Sequence, residues 1–207
     1  MPITYIIIGI TVLTSFSAFN KSDVLHRFMM NPYQIQKRGQ YYRFLTSGFI
    51  HGDHMHLLMN MLSLYFFGTA VERVFAGLFD EMGGIYFVVL YLVAICVSDW
   101  PTYFKHRNNP AYNSLGASGG VAAIIFAFII FRPLDKIYLY FAIGIPGFIL
   151  GTLYLIYSYF QGRKANDNIN HDAHLFGALF GLVFCIVVHP SCIPEFLEQI
   201  SHWKFFQ

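Results

Sequence analysis

Long apolar segments constrain the fold of this chain more than any other feature of its sequence. A helix that crosses a bilayer needs about 20 mostly apolar residues, and unpaired backbone groups cannot face lipid. Six segments approach this length with few charged residues, at about 4–19, 55–75, 84–104, 117–132, 138–160 and 171–189. The alternating pattern of a barrel is absent. The sequence therefore predicts an all-α membrane protein with six transmembrane helices.

Composition agrees with a membrane domain and excludes several other classes of protein. Of the 207 residues, 56% are hydrophobic and 12% are charged, which is about half the charged share of a soluble domain. A net charge of +2 is too small for a nucleic-acid-binding surface, so no nucleic-acid partner is expected. Three cysteines lack metal-ligand spacing. Because no repeat or composition break is visible, residues 1–207 are interpreted as one domain in the lipid bilayer.

The connection between the first two predicted spans, at about 20–54, is much longer than the others. It mixes cations such as Lys21 and Arg43 with large apolar residues such as Phe44 and Leu45. Such a mixture is typical of a segment in the headgroup interface. We therefore expect a long interfacial loop, which is either a plain anchor or a functional segment.

Strongly polar residues occur near the starts of the second, fourth and sixth predicted spans. They are His56 and Asn60 in the second, Ser118 in the fourth and His174 in the sixth. Polar groups inside a span are costly and mark functional sites. Since alternate spans start from the same side of the membrane, these side chains are predicted to lie at a similar depth. They are interpreted as one site.

The residue types in this site suit acyl transfer. A serine hydroxyl becomes an effective nucleophile when a base takes its proton, and histidine is the usual base. Ser118 and His174 provide that pair. Ser118 begins a predicted helix, whose first N–H groups can stabilise an oxyanion. His56 and Asn60 are four residues apart, so both project from one helix face and can add donors.

Small residues follow both members of the pair and would let their helices approach closely. The fourth span carries Gly119 directly after Ser118, and the sixth carries Gly177 and Gly181 after His174. The Gly177-x-x-x-Gly181 spacing is typical of helices packed against each other in membranes. These glycines, together with Gly116, are predicted to support the packing around the site.

Three motifs together resemble those of the rhomboid intramembrane serine proteases. They are His56-x-x-x-Asn60, Gly116-x-Ser118-Gly119 and Ala173-His174-x-x-Gly177-x-x-x-Gly181. The compact six-span arrangement is most similar to the bacterial GlpG type. The resemblance implies hydrolysis of a peptide bond in or near the transmembrane helix of a membrane-protein substrate. It also implies a Ser118–His174 dyad, oxyanion donors from the Ser118 N–H, His56 and Asn60, and no metal or cofactor.

The resemblance and the charge pattern disagree on orientation. The resemblance implies a bacterial inner-membrane protein with cytoplasmic termini and a site that opens to the periplasm. Nine of the thirteen Lys and Arg residues follow spans one, three and five, which favours external termini instead. Interfacial cations in the 20–54 loop offer another explanation for that excess, so we follow the resemblance. The oligomeric state stays open.

Two features near the predicted dyad bear on how it is held. Proteins of the GlpG type usually place a tyrosine one turn after the nucleophile, where it packs on the catalytic histidine. Here that position is Ala122, so another group must orient His174. Asp172 is two residues from His174, which directs it to another helix face, so it is not interpreted as a third catalytic residue.

Two further expectations and two alternative hypotheses come from the sequence. Ala70-Val71-Glu72 resembles a family pattern in the second span, and Gly144-Ile145-Pro146-Gly147 predicts a kink in the fifth.

An alternative hypothesis is a metal site built from clustered histidines and aspartates, which a chelator would inhibit. Its ligands would come from His51, Asp53, His54, His56, His171, Asp172 and His174. A second alternative is a non-enzymatic protein that binds transmembrane helices.

Overall fold

A computed structural model describes residues 2–139, 142–164 and 169–204. The described chain forms twelve α-helices: α1 Ile3–Asn20, α2 Ser22–Phe28, α3 Pro32–Arg38, α4 Arg43–Thr46, α5 His54–Ser63, α6 Thr69–Phe79, α7 Gly83–Ser98, α8 Trp100–His106, α9 Ser118–Phe131, α10 Gly147–Lys164, α11 His171–Val188 and α12 Cys192–Ser201. A π-helical turn, Leu64–Gly68, joins α5 to α6. Two short strands, β1 Lys136–Leu139 and β2 Ile143–Pro146, pair antiparallel. The predicted helical membrane fold is confirmed.

Three helical stretches are long and apolar enough to cross a membrane within the described residues. They are Ile3–Asn20, His54–His106 and His171–Val188, and α9 is a shorter apolar helix. The second stretch has 53 residues and contains both the second and the third predicted spans. It reverses at Asp80, whose φ of 47° breaks the helix between α6 and α7. The chain is thus a multi-pass membrane protein, and the count of six crossings stays a prediction.

The fifth predicted span, 138–160, is partly wrong. Residues 138–139 and 143–146 belong to the β1–β2 hairpin, and α10 begins only at Gly147. Residues 140 and 141 of that span lie outside the described residues. The expected kink at Gly144–Gly147 is also wrong, because Pro146 ends β2 instead of interrupting a helix. The Gly147 N–H donates to the Asp135 carbonyl at 3.0 Å, which closes the hairpin onto the start of α10.

Helix α9 forms the centre of the fold. Ten of its 14 residues are buried, and α7, α11 and the π-helical turn pack around it. Outward-facing apolar residues on other helices are exposed instead, such as Leu13 of α1 and Phe160 of α10. An apolar exterior around a buried central helix suits a protein surrounded by lipid.

Glu72 of α6 holds the start of α1. Its Oε1 accepts the Ile3 N–H at 2.6 Å, while Oε2 accepts the Thr4 N–H at 3.1 Å and the Thr4 hydroxyl at 2.7 Å. The first N–H groups of a helix lack intrahelical partners and carry partial positive charge, so a carboxylate stabilises them. The contact fixes α1 against α6.

The predicted interfacial loop, 20–54, is a folded segment. Arg43 is buried and donates to the carbonyls of His26 and Met29 at 2.9 and 2.8 Å, and to Gln40 Oε1 at 2.7 Å. Met30 exchanges backbone hydrogen bonds of 2.9 and 3.0 Å with Ser114. The segment is therefore cross-linked internally and braced against the residues that precede α9.

Candidate active site

The residues just before Ser118 are held in place by contacts with two distant segments of the chain. Gly116 has a φ of +118°, which favours glycine, and its N–H donates to the Ser47 carbonyl at 2.9 Å. A Cβ on Gly116 would lie 2.8 Å from Nε2 of His56, so the imidazole occupies the space that a side chain would need. The role of Gly116 is thus to shape the backbone and admit His56.

His51 connects three elements behind this segment. Its Nε2 accepts the Asn60 side-chain amide at 3.1 Å and the Ala117 N–H at 3.3 Å, and its Nδ1 lies 2.9 Å from the Ser15 hydroxyl. Because Nε2 accepts two N–H groups, we assign the ring proton to Nδ1. His51 therefore ties α1 and α5 to the residue that precedes Ser118. The sequence analysis treated it only as a potential metal ligand.

The environment of His51 keeps it neutral. Its side chain is fully buried, and this burial, together with the nearby His56, lowers the pKa of His51 to about 3. A neutral ring is required for the two hydrogen bonds that Nε2 accepts. The network is therefore intact at neutral pH.

His56 and Asn60, the expected oxyanion donors, both face the segment that leads into Ser118. The His56 ring lies against Gly116, and its centroid is 5.0 Å from that of His51. Asn60 is buried and gives one side-chain N–H to His51. An amide nitrogen carries two hydrogens, so one donor of Asn60 is left for another acceptor.

Helices α9 and α11 meet backbone to backbone. A Cβ on Gly177 would overlap the carbonyl oxygen of Gly119, and one on Gly181 would overlap that of Ala123. A Cβ on Gly119 itself would overlap the hydroxyl of Ser98 on α7. These three glycines are therefore required for the close approach of three helices.

This contact brings the starts of α9 and α11 together. Ser118 directly precedes Gly119, and His174 lies one turn before Gly177. Ser118 and Ala173, the neighbour of His174, line the same pocket. The two predicted dyad residues thus belong to adjoining helix starts.

An aromatic ring from α10 lies over His174. The Tyr154 ring is nearly parallel to the imidazole, with centroids 6.4 Å apart and an interplanar angle of 20°. Tyr154 packs in one apolar cluster with Ala122 and Ala178. The small side chain of Ala122 therefore leaves room for a ring that arrives from the neighbouring helix. No sequence pattern indicated this residue.

Polar contacts fix the start of α11. Asn170 Oδ1 accepts the Ala173 N–H at 3.1 Å and the Thr102 hydroxyl at 3.0 Å, which caps the helix and ties it to α8. Asp172 forms a 3.1 Å ion pair with Lys105 of α8. Its carboxylate is therefore engaged away from the proposed dyad.

Asp99, at the junction of α7 and α8, lines the same pocket as Ser118 and is buried. The sequence analysis missed this residue. The signal available in the sequence was a single carboxylate inside the apolar 84–104 segment. A carboxylate there costs free energy, so its presence indicates a functional or structural role.

The histidines do not converge on a common point. Across the described ranges, no group of three His, Cys, Asp or Glu side chains has the arrangement of a metal site. The contacts of His51 and Asp172 described above are instead hydrogen bonds and an ion pair within the protein.

Comparisons with known proteins extend this description. The chain is 31% identical over 175 residues to RHOMBOID-like protein 12, mitochondrial, of Arabidopsis thaliana, covering 81% of this chain and 52% of that protein. It is 28% identical over 169 residues to the putative rhomboid protease YdcA of Bacillus subtilis, covering 81% and 78%. Rhomboid protease GlpG of Haemophilus influenzae is 23% identical over 164 residues, with coverage of 79% and 78%.

The chain spans about half the length of the Arabidopsis relative, but most of the length of the two bacterial ones. Residues 38–191 match the Rhomboid domain, which is about three quarters of the chain. This matched region includes the α9–α11 contact and the residues around Ser118. The chain therefore belongs to the rhomboid family.

Proposed function

We propose that this protein is an intramembrane serine protease that cleaves a peptide bond in or near the transmembrane helix of a membrane-protein substrate. The observation that carries the proposal is the backbone contact of Gly119 with Gly177, which joins the helix starts that bear Ser118 and His174. Relatives named as rhomboid proteases support the same activity.

In the proposed reaction, His174 removes the proton of the Ser118 hydroxyl as the oxygen attacks the substrate carbonyl. The tetrahedral intermediate then collapses, and His174 returns the proton to the leaving amine. Water hydrolyses the resulting ester and frees Ser118. A dyad suffices for these steps because one base serves as acceptor and donor in turn.

Three groups are proposed to stabilise the oxyanion. The first is the Ser118 N–H at the start of α9, where N–H groups lack intrahelical partners. The others are the His56 imidazole and the second hydrogen of the Asn60 amide. Donors fixed in advance stabilise developing charge most effectively. The His51 bridge supports this role because it fixes the Asn60 amide and the Ala117 backbone together.

Cellular placement is part of the proposal. We infer a compact protein of the GlpG type in a bacterial inner membrane, with cytoplasmic termini and a site open to the periplasm. Similarity to bacterial relatives supports this, whereas the Arabidopsis relative is named as mitochondrial. Cysteine labelling of single-cysteine variants in intact cells and in inverted vesicles would test the orientation.

The test of activity is cleavage of a single-span reporter by the purified protein in lipid vesicles. We expect cleavage by the wild type with and without EDTA, and none by Ser118→Ala or His174→Ala. The matched control is Ser22→Ala, which removes an exposed hydroxyl from α2 and should cleave normally. Cleavage by Ser118→Ala that EDTA abolishes would contradict the proposal and support the metal hypothesis.

A further inference from the structure

A polar cavity lies between the folded interfacial loop and the residues that lead into α9. Its free volume is about 320 Å³, which is within the range of ligand-binding clefts. Arg38, Arg43 and His26 line it from the interfacial loop, and Pro110 and Asn113 line it from the other side. Among the described residues, no Asp or Glu side chain belongs to this lining. The charge of the cavity therefore suits an anion.

Arg43 is buried in the wall of this cavity, but its guanidinium is only partly used. Its Nε donates to Gln40, and its Nη1 donates to the carbonyls of His26 and Met29. A guanidinium has five N–H groups, so the two on Nη2 are left. Within the described ranges no acceptor engages Nη2, and protein atoms do not enclose it. A buried cation with free donors is suited to bind a phosphate group.

The walls of the cavity are joined by Asn31, which is itself buried. Its side-chain amide donates to Asn113 Oδ1 at 2.9 Å and to the Pro110 carbonyl at 3.4 Å, which are 82 and 79 residues away. Its Oδ1 accepts the Gln34 N–H at 2.8 Å and so caps α3. The cavity is therefore shaped by tertiary contacts, and a ligand does not have to order its walls.

The surroundings of the cavity are those of a membrane surface. Tyr41, Tyr42 and Leu45 flank Arg43 in the chain, and all three are exposed although they are large. Tyrosine and long cationic side chains concentrate where lipid headgroups meet the acyl chains. A phosphate group in the cavity would lie at this level, and acyl chains attached to it would follow the exposed apolar side chains.

We propose that this cavity binds the phosphodiester group of a phospholipid, with Arg38 and the Nη2 of Arg43 as its charged donors. A phosphodiester carries one negative charge, and its oxygens accept charge-assisted hydrogen bonds from guanidinium groups. Free phosphate presents similar oxygens, but only a lipid also covers the exposed Tyr41 and Leu45. The bound lipid would connect the interfacial loop to the residues that precede Ser118. The site does not depend on the proposed protease function.

The experiment measures lipid binding by native mass spectrometry on the purified protein, stripped of lipid in a nonionic detergent. The probes are phosphatidylglycerol, a diacylglycerol with the same acyl chains, and inorganic phosphate. We expect the protein to retain phosphatidylglycerol and to bind the other two much more weakly. Failure to bind phosphatidylglycerol, or equal binding of the diacylglycerol, would overturn the proposal. Phosphate that binds as tightly as phosphatidylglycerol would overturn the assignment to a lipid.

Variants place the bound lipid in this cavity. Arg38→Gln should weaken phosphatidylglycerol binding about tenfold, which is the size of effect that one charge-assisted hydrogen bond gives. Asn113→Asp should also weaken it, because it adds a negative charge to the wall while keeping the acceptor for Asn31.

The matched control is Lys37→Gln. It removes the same charge from the exposed neighbour of Arg38, which is not among the described residues that line the cavity. Its affinity for phosphatidylglycerol should stay close to that of the wild type. An equal loss in Lys37→Gln and Arg38→Gln would indicate general attraction to a basic surface and overturn the site. Full affinity in Arg38→Gln or in Asn113→Asp would overturn it as well.

Discussion

Helices α11 and α10 both contact the central helix α9, but in different ways. At α11 the glycines bring the two backbones together, so that a Cβ on Gly177 would overlap the Gly119 carbonyl. At α10 the space beside a glycine is filled by side-chain ends of α9 instead: a Cβ on Gly151 would lie 2.9 Å from the terminal Cδ1 of Ile129. The outer face of α10 is exposed, and Leu153 is 55% accessible.

The difference shows which parts of the site have fixed positions. Backbone atoms cannot adjust at the α9–α11 contact, so the relative position of Ser118 and His174 is set by the fold. Side-chain ends can adjust at α10, which makes this helix the more adaptable neighbour. Yet α10 supplies Tyr154, whose ring lies over His174. The backbone contact thus places the start of α11, while a side chain of α10 brings the Tyr154 ring beside His174.

The largest effect is expected from Gly177→Ala. The new methyl would force α9 and α11 apart, which should destabilise the protein by about 1–3 kcal/mol. Displacement of the dyad by about 1 Å would lower reporter cleavage by about 100-fold. Thermal unfolding and initial rates measure the two effects. Gly77→Ala is the control, because a Cβ there meets nothing within 4 Å. Equal behaviour of the two variants would contradict the rigid contact.

A smaller effect is expected at Tyr154. Tyr154→Leu should lower kcat about tenfold with little change in KM, because it removes the ring that orients the base but no substrate contact. Tyr154→Phe keeps the ring and should retain most of the rate. In the Tyr154→Leu background, Ala122→Tyr should restore part of the loss by placing a ring on His174 from α9. A leucine variant as fast as the wild type would show that α10 plays no part in orienting His174.

The His51 bridge predicts a pH dependence of stability. The pKa of His51 is about 3 in the folded protein, while an exposed histidine titrates near 6.5. Between these values the unfolded chain binds the proton and the folded chain does not, so stability should fall as pH drops from about 6.5 towards 3. Burial is the main cause of the low pKa of His51. Of the two titratable groups that face it, His56 lowers this pKa further and Asp53 raises it.

The measurement is the melting temperature of the wild type and of His51→Gln between pH 6.5 and 4.5. Glutamine can accept the same N–H groups but does not titrate, so its melting temperature should change less over this range. Identical slopes for the two proteins would show that His51 is not the group responsible. The carboxylate of Asp53 stays largely ionised over this pH range, so it does not account for a difference between the two melting-temperature slopes.

The smallest effect is expected on the outer face of α10. Leu153→Ala removes an exposed side chain, so it should change the free energy of unfolding by no more than about 0.5 kcal/mol and leave cleavage unchanged. Unfolding in the same detergent as the Gly177→Ala variant allows direct comparison. A loss of stability as large as that of Gly177→Ala would show that the α9–α10 and α9–α11 contacts do not differ in the way described.

The sequence predicted most of the helical fold because long apolar segments have few alternatives in lipid. It failed at the β1–β2 hairpin, where apolar residues such as Leu139, Ile143 and Ile145 extended the apparent fifth span. Asp135 before this run and Pro146 at its end were local signals of a turn and a break. Apolar composition alone cannot distinguish a short strand from the first turns of a helix.

The proposed dyad, His56 and Asn60 were named from local motifs. Tyr154 and His51 were not identified for the contacts that they make here, because those contacts join distant segments. Tyr154 reaches His174 across a helix interface, and His51 meets Ala117, 66 residues later in the chain. Such contacts depend on helix packing, which the pattern of a single segment does not specify.

The most direct test of the central claim, that Ser118 is a nucleophile activated by His174, is covalent labelling with a fluorophosphonate followed by mass spectrometry. The reagent forms a phosphorus–oxygen bond with an activated serine and releases fluoride, so no substrate needs to be known. The wild type and Ser22→Ala should carry one label, on the peptide that contains Ser118, and Ser118→Ala and His174→Ala should carry none. A label on another serine, or equal labelling of His174→Ala, would contradict the account.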